Sequence, residues 1–420
     1  MSDNQATSDE KASGKSNIDQ TNSDLPKLYL KKNEERRLGA GHLWVYSNEV
    51  DTKKTPVKEL PAGSVVALYS QRGQFCGNAY VNPRSLICAR VFSFREGQAL
   101  GKELLVKRIT AALRLREALY EFPAYRLIHG EGDLLPGLVV DRYDSVLVVQ
   151  ISTAGMQSIE DEVIEALVEC LNPAGIHIRS TSAIRELEGL DSREETVHGT
   201  VPDTVHIKEN GLGFDVPMKG GQKTGWFYDH RENRLLLQKY CQGKRVLDAF
   251  CYLGAWGINA LAGGATEVVA IDSSQAACDG AVHNAKLNNF DDSKYSVIKG
   301  DVADCLSKLK DDAGQKFDVI VLDPPAFIQR AKDKRNGTEK YRKINSLATK
   351  LLTENGLLVS ASCSHHLSQT DLQRVMLQSA RSAGCGLQVL ARGHQGPDHP
   401  VHAAIPETEY LKTVFARLIR

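Results

Sequence analysis

The 420-residue chain contains no uninterrupted apolar run approaching the roughly 20 residues that a membrane helix requires. Its opening stretch, MSDNQATSDEKASGK, lacks the apolar core of a secretory signal, so the cytoplasm is the expected location, with no membrane partner. No two of its nine cysteines stand at C-x-x-C spacing, and an odd number scattered along the chain is no disulfide framework. Reduced, mostly buried thiols are the expectation, and no metal site is expected. The adjacent His365 and His366 would point apart on a strand or a helix. Net charge is also lacking, with 52 basic residues against 52 acidic ones, so the whole chain shows no basic footprint of a nucleic-acid enzyme. The distribution says more. Gln329–Lys343 (QRAKDKRNGTEKYRK) holds seven basic and two acidic residues, and Lys27–Lys54 holds seven and four.

At this length two or three domains are expected. Residues 1–26 are polar and read as a disordered tail. Residues 27–98 carry short strand-like runs (LWVY, SVVALYS, QFCGNAYV, SLICARVF) separated by turn residues, which suggests a small barrel. Residues 99–205 alternate a helix over 102–122, the runs LVVDRY and SVLVVQIS, a helix near 158–171 and the strand GIHIRS. This describes a mixed α/β unit. VHIKENGLGFDVPM, from Val205 to Met218, reads as a hairpin turning at Glu209-Asn210-Gly211. Over 206–420 strand and helix alternate, with strands RVLDAF, EVVAID, YSVIKGD, FDVIVLD and LLVSASC. The helices between them are expected at Ala255–Ala262, Gln275–Asn288, Val302–Leu309 and Lys340–Leu352. That pattern predicts a doubly wound parallel sheet of Rossmann-like α/β class.

Ligands of such sheets bind outside the carboxyl ends of the strands, where strand order reverses. The first strand runs into DAFCYLGAWG, which places Asp248, Tyr252 and Gly254 in the turn toward a helix N-terminus, although it does not match G-x-G-x-x-G. Asp272 ends the second strand, where a carboxylate suits two ribose hydroxyls. Asp301 and Asp323 are expected to end the next two. Four carboxylates along one edge repel a dinucleotide pyrophosphate and attract a sulfonium carrying an ammonium group, so the expected cofactor is S-adenosylmethionine rather than NAD. Any one of these aspartates alone could be a helix cap.

After the fourth strand comes Asp323-Pro324-Pro325-Ala326-Phe327. Two prolines stiffen the turn, so Asp323 can meet the edge of a planar substrate and Phe327 can stack on a base. D-P-P-x-[FY] at a strand end points to methylation of planar nitrogen heterocycles or amides. The fifth strand ends SASCS, and Cys363 would sit one strand from Asp323, where a thiolate can act as a nucleophile. Carbon 5 of cytosine is too poor a nucleophile for a sulfonium methyl until a thiolate adds at carbon 6. Asp323 would then steady ring nitrogen 3. The basic run brings Arg330, Lys332, Lys334 and Arg335 to the same face as candidate RNA contacts.

GQKTGWFYDHRENR, LDAFCYLGAWG, VLDPPAF, SASCS and DHPVHAAIPETEYLKTVFARLI together resemble the ribosomal RNA large subunit methyltransferase I family, from Leu28 to the end of the chain. The resemblance implies methylation of carbon 5 of a cytosine in large-subunit rRNA. It also implies a class I methyltransferase domain preceded by an RNA-binding PUA-like β-barrel and a middle α/β domain, and a homodimer is compatible with it. By position, Cys363 matches the family's nucleophile and Asp323 its motif-four acid. Gln222, Lys223 and Arg231 match the segment that leads into the cofactor pocket. RNA cytosine methyltransferases with two cysteines carry one in motif four, where this chain has Pro325 and Ala326. Two other readings stay open. An exocyclic purine amine could be methylated through D-P-P-A-F with no covalent step, which would not require Cys363, or the chain could be a non-catalytic assembly factor.

Overall fold

Short apolar runs between turn residues build the first unit. Its strands β1 (Lys27–Tyr29), β2 (Trp44–Tyr46), β3 (Val65–Tyr69), β4 (Phe75–Val81) and β5 (Ile87–Ser93) form one sheet in the order β1-β3-β4-β5-β2. Just past β2 the chain returns to β1. Leu30 bridges Val50, while Lys31 N–H donates to Glu49 O and Asp51 N–H to Tyr29 O, both at 2.8 Å. This brings the open edges together as a small barrel, which leaves few unpaired strand groups. Leu28, Leu30, Val66, Leu68, Val81 and Val91 fill it with no exposed surface. The computed structural model describes residues 25–218, 224–312 and 315–419. Most of the expected tail over 1–26, like Gln222 and Lys223, lies outside the described residues.

The middle unit is a second five-stranded sheet. It contains β6 (Ala124–His129), β7 (Leu138–Tyr143), β8 (Val146–Ile151), β9 (Gly175–Ser180) and β10 (Arg193–Gly199). The strands run β10-β9-β8-β7-β6, and β8 and β9 are parallel across the helix Glu160–Leu171. One face packs on that helix and on Lys102–Leu119. The other face, with Ala124, Tyr143, Val146 and Val148, belongs to the core of the C-terminal unit. The hairpin β11 (Thr204–Glu209) and β12 (Leu212–Pro217) lies in that shared core. Its turn residues Asn210 and Gly211 have φ of 54° and 78°, the left-handed pair that a two-residue hairpin needs.

The C-terminal sheet holds β13 (Arg245–Ala249), β14 (Glu267–Asp272), β15 (Tyr295–Lys299), β16 (Phe317–Leu322), β17 (Leu352–Ser362), β18 (Gly386–Gly393) and β19 (Lys412–Ile419). Their order is β15-β14-β13-β16-β17-β19-β18, parallel except for β19, which runs antiparallel to both neighbours. Successive residues feed two separate cores, because strand side chains alternate. Val246, Val268, Val319 and Val359 enter one core; Leu247, Val269, Ile320 and Leu358 enter the other. A sheet buried on both faces needs continuous apolar runs, and this is why its strands are legible. The order reverses between β13 and β16, which sets a crevice at their carboxyl ends. No helix among the described residues is long and apolar enough to cross a membrane.

Two expectations are corrected. The helix expected over Lys340–Leu352 spans Lys334–Leu351, so most of the basic stretch Gln329–Lys343 is helical. The four aspartates do not end their strands alike. Asp248 lies inside β13, Asp272 is the last residue of β14, Asp323 follows β16, and Asp301 stands beyond the end of β15 at Lys299.

Candidate active site

The turn after β13 is held in an unusual backbone conformation. Phe250, Tyr252 and Gly254 have φ of 66°, 48° and 83°, and for the first two this costs free energy that the surroundings must offset. Phe250 and Cys251 N–H groups both donate to Ile271 O, at 2.9 and 3.0 Å. Tyr252 N–H donates to Asp272 Oδ2 at 3.0 Å, and its hydroxyl donates to Gly225 O at 2.9 Å. Ser274 N–H donates to Asp272 Oδ1 at 2.9 Å, so the carboxylate is fixed from both sides while each oxygen keeps a lone pair. At Gly254 a Cβ would stand 2.6 Å from the Tyr295 hydroxyl oxygen, so only glycine fits there.

Asp248 is fully buried, and its Oδ2 accepts the Gly257 N–H at 2.9 Å while Oδ1 has no hydrogen-bond partner. Burial, followed by the negative charges of Asp323 and Asp272, pushes its pKa up to about 7. Asp323 and Asp272 thus raise the cost of charging Asp248 in one shared crevice. A cationic ligand relieves that repulsion, and the site therefore fits a sulfonium cofactor.

Across the crevice, Asp323 Oδ2 accepts the Trp256 indole N–H at 2.9 Å, and Oδ1 lies 3.2 Å from His230 Nε2. The His230 ring packs on Trp256 with centroids 5.1 Å apart. Burial alone would raise the Asp323 pKa, but His230 and the indole N–H outweigh it and hold the carboxyl below its ordinary range.

One strand further on, the SASCS turn is tied down by its serines. Ser362 hydroxyl donates to Tyr341 Oη at 2.9 Å, and Ser364 N–H donates to Ser362 Oγ at 3.1 Å. Ser364 Oγ in turn accepts the Ile328 N–H at 3.2 Å and lies 3.1 Å from Tyr341 Oη. Ser362 and Ser364 are buried, while Cys363 between them is half-buried. The cysteine turn is thereby fastened to the loop carrying Asp323-Pro324-Pro325. A glycine brings the basic helix against the same loop, since a Cβ at Gly337 would stand 2.6 Å from Phe327 O.

Comparison with known proteins places this geometry. The family profile for S-adenosylmethionine-dependent methyltransferases matches residues 125–409, and a PUA-like domain profile matches 28–94. The "Ribosomal RNA large subunit methyltransferase I" of Tolumonas auensis is 38% identical over 93% of this chain and 99% of that protein. The protein of the same name from Vibrio cholerae is 38% identical over 92% of this chain and 98% of its own. A solved structure described as a SAM-dependent methyltransferase from Streptococcus mutans superposes with a TM-score of 0.80. It covers 94% of this chain and all of that one at 22% identity, and so shows the shared fold. The chain belongs to the ribosomal RNA large subunit methyltransferase I family. It is an S-adenosylmethionine-dependent methyltransferase with an N-terminal PUA-like domain.

Within this family member, the expected site residues divide. Asp272, Tyr252, Gly254, Asp323 and Cys363 line the carboxyl edge around the switch point. Asp301 is exposed and caps the helix Val302–Asp311, with Oδ1 accepting the Asp304 N–H at 3.1 Å. Arg231 has its guanidinium buried toward the middle unit, donating to Ala124 O, lying 3.6 Å from Glu209 and stacking 4.0 Å over the Tyr120 ring. These contacts pin two units together. Phe327 is half-buried against Tyr341, with ring centroids 4.9 Å apart. Arg330, Lys332 and Arg335 are exposed, while Lys334 pairs with Asp371 at 3.0 Å. Sequence reasoning singled out neither His230 nor Trp256. Both stand inside quoted motifs, but nothing in their spacing signals that they meet at Asp323.

Proposed function

We propose that this enzyme methylates carbon 5 of a cytosine in large-subunit rRNA through a covalent intermediate on Cys363. The observation that carries the reading is that Cys363 follows the strand next to the one that leads into Asp323, in a turn fastened to the Asp-Pro-Pro loop. The name shared by relatives 36–38% identical to this chain supports rRNA as the substrate. The PUA-like barrel and the exposed Arg330, Lys332 and Arg335 are the surfaces proposed to hold RNA phosphates.

When bound, the cofactor supplies an electrophilic methyl group, and Asp272 and the turn carrying Tyr252 and Gly254 would hold it. Phe327 closes one side of the base pocket. Asp323, held ionised, accepts the exocyclic amine of cytosine and orients the ring. The Cys363 thiolate adds to carbon 6, and the electron density it displaces reaches nitrogen 3. There Asp323, once it takes a proton from solvent, can pass on the proton that neutralises it. Methylation at carbon 5 is followed by loss of its hydrogen to a base and departure of the thiolate.

RNA with 5-azacytidine at the target position tests this reading, because that ring has no hydrogen to release and elimination stalls. The expected result is an enzyme–RNA adduct that survives denaturing electrophoresis and is absent in Cys363→Ala. The same variant should lose methylation while still binding the cofactor. Substantial methylation by Cys363→Ala would instead favour direct attack by an exocyclic amine held by Asp323 and Phe327.

A further inference from the structure

Lys412, the first residue of β19, pairs in register with Ser362 across the sheet. It is a lysine with 8% of its surface exposed, which is rare unless the ammonium has partners. Its Nζ donates to Ser364 O and to Tyr410 O, each at 2.7 Å. Two of three N–H donors are thus spent on carbonyls, one of them in the residue that follows Cys363. Strand register and the Ser364 contact bring this ammonium up against the turn that carries Cys363. No step described above uses Lys412.

We propose that Lys412 is the positioning residue of the Cys363 nucleophile: it fixes the Ser364 carbonyl and supplies the positive charge that keeps the sulfur a thiolate. This rests on the cysteine-adduct reading. A neutral Lys412 takes the thiol proton itself; an ammonium already formed lets that proton go to water. Both routes end in the same thiolate–ammonium pair, with the sulfur lone pair available for carbon 6.

The groups facing the pair leave it the dominant charge there. Tyr341 and Tyr410 are raised by burial and stay neutral, and Tyr410 also hydrogen-bonds Asp229 Oδ2 at 2.6 Å. His365 is pushed toward its neutral form by burial and then by Lys412. Among the described residues, Glu409 is the carboxylate that pulls the Lys412 pKa up. Burial pushes the Lys412 pKa down to about 8, while Cys363 and Glu409 pull it up, so the ammonium leans on the thiolate to remain charged.

The test is the pH dependence of Cys363 alkylation in the full chain without RNA. A brief iodoacetamide pulse at each pH would be read at the Cys363 peptide by mass spectrometry. In Lys412→Met the midpoint should move up by at least about one pH unit, a roughly ten-fold slower reaction at neutral pH. Lys412→Arg, which keeps the charge, should restore most of that loss. An unchanged midpoint in folded Lys412→Met would overturn the proposal. Should that variant fail to fold, the wild-type midpoint decides: below the ordinary thiol value of about 8.5 supports the pairing, and at or above it rejects it. A shifted midpoint combined with an active Cys363→Ala would show a tuned thiol without catalytic use, and Lys412 would lose its place in the reaction. The alkylation profile and the adduct assay therefore fail independently.

Discussion

Asp248 shows what one buried residue contributes and what it costs. Its carboxylate braces the turn through Gly257 N–H, yet burial and two neighbouring carboxylates push its pKa up to about 7. Between about pH 4 and that value the folded chain holds a proton that the unfolded chain releases. The site's contribution to stability is therefore fully present below this window, falls as pH rises through it, and is level above it. Asp248→Asn keeps an acceptor for Gly257 but has no charge to desolvate. In urea unfolding of the cofactor-free protein, its stability relative to wild type should be higher at pH 8 than at pH 5. Equal differences at the two pH values would mean that Asp248 is already solvated or paired. The sequence pointed to this aspartate, but not to its depth. Only the alternation of Val246, Leu247 and Asp248 between two buried faces reveals that.

Elements were legible to the extent that their own pattern determined them. β14, a parallel strand with a buried VVAI centre, and the helix Ala255–Ala262 stand where their runs predict. The edge strand β18 alternates half-buried and exposed positions over GLQVLARG, a weak signal, and it was not anticipated. The helix Lys334–Leu351 begins earlier than expected because its first turns are polar and their helical spacing carries no apolar stripe. What holds them is tertiary contact, the close approach of Gly337 to the Phe327 backbone and the Lys334–Asp371 pair. This packing sets Arg330, Lys332 and Arg335 beside the Asp-Pro-Pro loop. Neutralising these three should lower the salt slope of RNA binding by about 2, at roughly 0.7 per phosphate contact on a single strand. Cofactor affinity, read by calorimetry, should not change. An identical salt slope would move the RNA path elsewhere.

At the scale of the whole molecule, the C-terminal and middle units share one core and a buried polar joint. Arg116 pairs with Asp133 at 2.6 Å and donates to Asp398 O at 2.8 Å, and Tyr228 donates to Arg142 O at 2.9 Å. Arg231 belongs to this joint. Its place in a motif that leads toward the cofactor concealed that, because sequence proximity does not say which way a side chain turns. Long-range pairs such as His230 with Asp323 and Lys412 with the cysteine turn are hidden for the same reason. A catalytic edge tied this firmly to the middle unit is suited to presenting one base of a large folded substrate. The central claim is cytosine-5 methylation of large-subunit rRNA, and bisulfite sequencing tests it most directly. Large-subunit rRNA from a strain lacking this gene would be compared with that of its parent. The account predicts one cytosine protected from conversion in the parent and converted in the deletion strain, with protection restored by the wild-type gene but not by Cys363→Ala. Identical conversion at every cytosine in parent and deletion strain would contradict it.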